Sequence, residues 1–362
     1  MAPEARRLLA MTHGSRDPAS RFRVLQYLPH LAARGWQVTH APNRPERPEL
    51  RRRGPLLGRL DGWRRRLARG GDLRAARAQD LVWVNRDLLA GDPTWELRLA
   101  RAGRPVVFDF DDALYLTDRR GHFPRAVEAA TWVLAGNATL AAEARRYSDR
   151  VSMLPTSIEV GRYQVARHDE RALRVGWCGS DLSIRQTLLP LVPLLARLQR
   201  QLGFRFVVMS WPRPALPGDL AWDFVPWSPQ AEARLGDHFD LGLMPLRDTP
   251  FQAAKCGCKL LQYLACGLPA VATPLGVNAR FLTESQAGLP ALEEEDWAAA
   301  IAHYADAARR AEAGRRGRAW VAAHYSLERW LPELEGRLLG ALGLPLPSLA
   351  AAAGAEAASC IR

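Results

Sequence analysis

The residues most able to do chemistry lie in the stretch 251–278, FQAAKCGCKLLQYLACGLPAVATPLGVN. Of 50 basic residues in the chain only Lys255 and Lys259 are lysines, and both fall here. Arg serves as well as Lys where only surface charge matters, so the lysines kept in an Arg-dominated chain mark places that want a compact ammonium on a flexible stem. The spacing predicts a helix over 255–266. It contains no Pro, Leu260, Leu261 and Leu264 form an apolar stripe, and Lys255 and Lys259 fall i, i+4 on one face. Gly267 and Pro269 stop that helix, 268–273 suits a buried parallel strand, and Pro274, Gly276 and Asn278 form the loop at its carboxyl end, where open α/β sheets place ligands. Two ammonium groups at a helix start, where backbone N–H groups already favour anions, suit a diphosphate. The plain alternative is a helix with two solvated lysines.

The elements that must position these residues follow a repeating pattern. A strand at 6–12, a turn at His13-Gly14-Ser15, a helix capped by Ser20 and a strand at 36–41 open a doubly wound α/β domain. Buried strands are expected at 80–85 (DLVWVN) and 105–110 (PVVFDF), the second running into Asp111 and Asp112. After a last strand at 150–155 and an irregular polar segment at 156–169, the pattern restarts. A strand at 173–177, the turn Gly179-Ser180-Asp181 and an amphipathic helix over 184–202 precede strands at 204–210 and 221–225 and the loop Pro226-Trp227-Ser228. The acidic run 293–296 precedes a helix expected at 297–308, and a further helix is expected at 309–324.

The run KCGCKLLQYLACGLPAVATPLGVN resembles the C-terminal signature of the GT-B glycosyltransferases, in particular the retaining family-four group, and the resemblance spans about residues 6–342. It implies two doubly wound Rossmann-like domains facing a cleft: 1–160 on the acceptor side, 161–325 binding the donor, a crossover helix at 326–342 returning to the first domain, and a flexible tail at 343–362. The implied activity is hexosyl transfer, with retention, from a nucleotide-diphosphate sugar to a glycan, lipid-linked or small-molecule acceptor. Carried over position by position, Lys255 and Lys259 would meet the diphosphate, Gly179, Ser180 and Arg185 the donor phosphates, Trp227 the base and Gln262 the ribose. Gly276 and Asn278 would complete the donor site, and Gly14, Ser15 and Arg21 would line the acceptor side. The chain departs from the family twice. Asp111 and Asp112 stand where a His-Asp pair is usual, and Ala254 stands where the first of two glutamates is usual. A carboxylate at 111 or 112 can accept a proton but cannot replace an imidazole.

Composition narrows the remaining choices. Nothing approaches a membrane-spanning run, and the N-terminus lacks the apolar core of a signal peptide, so a cytoplasmic enzyme is expected. The cysteines Cys178, Cys256, Cys258, Cys266 and Cys360 lack the paired spacing of a metal site and suit small buried thiols. Asp109, Asp111 and Asp112 spell D-x-D-D, a spacing open to Mg²⁺ or Mn²⁺. With two lysines to neutralise a diphosphate, neither metal nor cofactor is expected. Residues 47–77 hold eleven arginines against three acids, with Leu56, Leu57, Leu60, Trp63 and Leu67 interleaved. That suits either a solvated basic connection or a segment lying on an anionic membrane, which would make the protein peripheral to the inner face. No nucleic-acid-binding signature accompanies the charge, so nucleic acid is not an expected partner. Two other classes stay open: a non-catalytic, membrane-associated binding protein on the same scaffold, and a sugar-nucleotide epimerase.

Overall fold

The computed structural model describes residues 6–46, 55–89, 94–118 and 120–345. The chain divides into two units, residues 1–156 with 328–362, and residues 157–327. Unit 1 is a parallel sheet of β1 (Arg6–Thr12), β2 (Trp36–Pro42), β3 (Leu81–Asn85), β4 (Val106–Phe110), β5 (Trp132–Ala135) and β6 (Val151–Met153), in the order β2-β1-β3-β4-β5-β6. All five residues of β3 and of β4 are buried, as continuous apolar runs require when helices cover both faces. The connections carry α1 (Leu28–Ala33), α2 (Pro55–Ala76), α3 (Thr94–Arg101), α4 (His122–Ala129) and α5 (Ala138–Ala144). Ser20 is not the cap expected of it: it begins a six-residue π-helix, Ser20–Leu25, and its backbone N–H donates to Asp17 Oδ2 at 3.0 Å.

Unit 2 repeats the plan with β7 (Arg174–Ser180), β8 (Arg205–Trp211), β9 (Trp222–Pro226), β10 (Leu241–Met244), β11 (Ala270–Ala272) and β12 (Gly288–Pro290). Its order, β12-β11-β10-β7-β8-β9, reverses direction between β7 and β10. Such a switch point opens a crevice at the carboxyl ends of the strands. The predicted helix over 184–202 is built in three pieces, a π turn at Ile184–Leu188, a 3₁₀ turn at Leu189–Leu191 and α6 (Val192–Leu202), with a proline in each of the last two. Then come α7 (Cys258–Ala265), α8 (Val277–Ser285), α9 (Glu294–His303) and α10 (Ala307–His324). Helix α9 starts three residues before the predicted 297, because Glu293 and Asp296 close a capping box, and Asp306 caps α10 by accepting from Arg309 N at 2.9 Å.

The last helix, α11 (Leu327–Ala341), belongs to unit 1 from Glu328 onward. Glu335 anchors it, accepting from Arg34 Nη1 at 2.8 Å and from Trp36 Nε1 at 3.1 Å. The tail from 346 onward, including Cys360, and the arginines at 47–53 lie outside the described residues.

Candidate functional site

At the switch point of unit 2, β7 and β10 pair only through Val175–Leu241 and Gly176–Gly242 and then diverge. Tyr263 on α7 spans the gap. Its hydroxyl accepts from Cys178 N at 3.1 Å and donates to the Leu243 carbonyl at 3.1 Å, and burial pushes its pKa well up, so it stays protonated. One turn earlier on α7, Lys259 points to the end of β7. Its ammonium lies 5.3 Å from the centre of the Trp177 ring, and its stem fills the space beside Gly179. A Cβ on Gly179 would stand 2.5 Å from the Trp177 ring and 2.9 Å from Lys259 Cε. Gly179 is therefore needed as the absence of a side chain, which lets the lysine reach the crevice. Lys259 is the second residue of α7, in the turn whose backbone N–H groups find no partner within the helix.

The predicted stacking of both lysines on one helix does not occur. Gly257 adopts φ +67°, and its missing side chain leaves room for the Phe281 ring, so the helix begins only at Cys258. Lys255 lies in the preceding turn with its ammonium 5.0 Å from the centre of the Phe251 ring, so each lysine rests on a different aromatic face. A helix would require αR geometry at 257, and the glycine supplies the left-handed alternative at little cost.

The loops after β10 and β11 are tied together beside this point. Thr273 donates its N–H to the Met244 carbonyl at 3.2 Å, its Oγ1 accepts from Leu246 N at 3.0 Å, and Asn278 Nδ2 donates to its carbonyl at 3.2 Å. Asn278 is thus a brace for the loop, while Gly276, at φ +57°, passes against the Ala253 carbonyl and leads into α8. Ser180 ends β7 and caps the short helical turn Asp181–Ser183, and Arg185, 71% exposed, pairs with Asp181 at 3.3 Å. Trp227 follows β9, half-buried, with its Nε1 donating to Glu232 Oε2 at 2.9 Å. Gln262 is buried. Its Nε2 makes no hydrogen bond of ordinary geometry among the described residues, although its amide lies close enough to Tyr163 to pull that hydroxyl's pKa down against the stronger upward push of burial and Glu232. Ala254 is buried and offers no polar group to a ligand.

Unit 1 gathers a second cluster at the carboxyl ends of β1, β3 and β4. Arg86, immediately after β3 and at φ +59°, directs Nε to Asp111 Oδ1 at 2.8 Å and Nη2 to Asp112 Oδ2 at 2.7 Å. Burial alone would weaken its charge, but Asp111, Asp112 and Asp17 hold it well above the usual guanidinium range. Asp17, which burial would raise, is held below the usual carboxylate range by Arg86, His13 and two hydrogen bonds from Ser20. The two carboxylates expected to act in catalysis therefore share one guanidinium. Asp109 is turned to other partners, Arg23 at 3.0 and 2.8 Å and Asn85 at 3.0 Å, so the three acids of D-x-D-D do not converge. Among the described residues no group of three His, Cys, Asp or Glu side chains is arranged to hold a metal ion. At the β1 turn, Gly14 abuts the Glu46 carboxylate and Ser15 Oγ donates to it at 3.0 Å. Arg21, buried, lies over the Phe22 ring.

Residues 185–336 match the family model described as glycosyl transferase-like. Among solved structures, sucrose-phosphate synthase from Thermosynechococcus elongatus superposes with a TM-score of 0.66 at 17% identity, over 91% of this chain and 98% of that one. HepE of Anabaena, solved with UDP and glucose, gives 0.64 at 15% identity over 91% and 98%, and a glycosyltransferase from Rickettsia africae gives 0.64 at 10% over 94% and 99%. No curated protein matches the chain. The fold is GT-B.

Within this GT-B chain, sequence reasoning did not foresee Arg86, Asp17, Trp177 and Glu46 as the neighbours of the candidate residues. Arg86 carried one legible signal: it directly follows the apolar strand DLVWVN, and strand carboxyl ends are where such sheets keep their functional side chains. Trp177 carried none, since a tryptophan inside a strand reads as core, which it also is.

Proposed function

We propose that this protein is a glycosyltransferase that moves a hexosyl group from a nucleoside-diphosphate sugar to an acceptor hydroxyl, with retention, as in the family-four group it resembles. One observation carries the reading: at the switch point of unit 2, Gly179 stays bare so that Lys259, at the start of α7, can bring its ammonium to the mouth of the crevice. A diphosphate there would meet a cation and a helix N-terminus together. As the sugar leaves, negative charge grows on the diphosphate, and a fixed ammonium in a partly buried site stabilises that change more than it stabilises the ground state. HepE, of the same fold, was solved with UDP-glucose, which supports a donor of this class.

Around this centre, Trp227 would offer a face to the base with its indole N–H already held by Glu232, and Gln262 would present an amide with spare donor capacity to a ribose hydroxyl. Lys255 would supplement the charge from the turn before α7. Asp111 and Asp112, fixed by Arg86, would orient an acceptor hydroxyl. A thermal-shift panel of nucleotide sugars identifies the donor, and release of nucleoside diphosphate is then followed with and without acceptors. Lys259→Ala is expected to abolish release while the fold is retained; wild-type activity in that variant would overturn the reading. An epimerase would instead convert the donor sugar with no acceptor present.

A further inference from the structure

Helix α2 (Pro55–Ala76) is inside out. A surface helix ordinarily turns its apolar stripe to the core and its charges to water. Here the inward side carries Asp61, Arg69 and Asp72, all buried. Arg69 donates to the carbonyls of Ala41 at 3.1 Å and Thr12 at 2.9 Å and pairs with Asp72 at 3.0 Å, while Arg65 Nε donates to the Pro45 carbonyl at 2.9 Å. The arginine side thus fastens the helix to the ends of β1 and β2 and the loop beyond. The outward side carries Leu60, Trp63 and Leu67, which are 53%, 60% and 57% exposed. At 100° per residue these three fall within about 60° of one another around the helix. Exposed large apolar side chains elsewhere among the described residues are spread through both units, whereas these three form one stripe within eight residues.

We propose that this face of α2 docks on the surface of an anionic lipid bilayer. The chemistry beside the stripe selects that occupant. Arg64, 64% exposed with Nη1 3.8 Å from Asp61 Oδ1, and the exposed Arg66 and Arg74 flank it, and both acids of the helix are buried, so among its described side chains the charges the helix exposes are all basic. Leu and Trp entering the acyl boundary with guanidinium groups at headgroup level is the arrangement of an interfacial helix. A second copy of the chain would bring arginine rim against arginine rim. No helix among the described residues is long and apolar enough to cross a membrane, so docking from one side is the mode this face supplies.

The test is flotation of the full chain with vesicles of phosphatidylcholine alone and of phosphatidylcholine mixed with phosphatidylglycerol, at low and high salt. Binding is expected only to the anionic vesicles and is weakened by salt. L60S/W63S/L67S is expected to lose anionic binding, and R64Q/R66Q/R74Q to weaken it on the order of 100-fold, about fivefold per charge. Nucleotide-sugar binding in unit 2 should be unchanged in both, which separates this proposal from the transferase reading. Absence of wild-type binding, or equal binding to neutral vesicles, overturns it. So does a wild-type dimer by light scattering that becomes monomeric in L60S/W63S/L67S, because a second copy would then cover the stripe.

Discussion

Gly179→Ala probes the crevice without removing a functional group. The added methyl would lie 2.5 Å from the Trp177 ring and 2.9 Å from Lys259 Cε, both far inside van der Waals contact. Trp177 has no exposed surface and belongs to the buried core of unit 2, so it has no room to yield. The lysine stem is the mobile partner and must swing out of the crevice. Overpacking of this kind costs about 1–3 kcal/mol of stability. On the proposed reading, displacing the ammonium would lose a charge-assisted contact to a diphosphate worth about 1.5–3 kcal/mol, or roughly 10- to 150-fold in affinity. Calorimetric titration of a nucleoside diphosphate into wild type, Gly179→Ala, Lys259→Met and the double variant reads both effects. If Gly179 acts through Lys259, the double variant binds about as weakly as Lys259→Met alone, and the two losses fail to add. Wild-type affinity in Gly179→Ala, or strict additivity in the double variant, would show that Gly179 does not act through Lys259.

Arg86→Ala leaves Asp111 and Asp112 without their shared guanidinium. Alanine keeps a Cβ at φ +59°, so the backbone strain is unchanged and nothing offsets the lost pairing; a loss of about 3–5 kcal/mol is expected at neutral pH in urea unfolding, and an unchanged midpoint contradicts the clamp. Asp240 is raised by burial but held lower overall by Arg174 and Arg171, at 2.8 and 3.2 Å. A folded pKa below the unfolded 3.8 means that its stabilisation is complete above that value and is lost as the pH falls below it. Asp240→Asn should therefore lower stability at neutral pH by about 2–4 kcal/mol and flatten the acid limb below about pH 4 in thermal scans. Gly257→Ala must place a side chain at φ +67° against Phe281, 2.6 Å from its ring, and should cost about 2–4 kcal/mol and shift the start of α7. A loss below about 0.5 kcal/mol would show that the turn at Gly257 accommodates a Cβ and that its left-handed geometry does not set the start of α7.

Local patterns carried most of the fold. DLVWVN and PVVFDF are readable as strands because both faces are buried and every side chain must be apolar or paired. The fate of the acid cluster was not readable. Asp111 and Asp112 meet Arg86 because β3 and β4 are neighbours, a non-local pairing that composition does not encode. The KCGCK turn misled for a different reason: helix periodicity over 255–266 is real from 258 onward, and a single left-handed glycine cuts off its first turn. In α2 the mixture of leucine and arginine was evident, but which side faced inward was not. Arginines seeking backbone carbonyls at the ends of β1 and β2 decided that.

Whether the unit 2 crevice holds a donor diphosphate at Lys259 is decided by a crystal structure of the full chain with a nucleoside diphosphate. The expected result is a phosphate oxygen about 2.7–2.9 Å from Lys259 Nζ, beside the backbone of Gly179 and the start of α7. Phosphates bound elsewhere in the chain, with Lys259 still resting on Trp177 and touching no ligand atom, would contradict it.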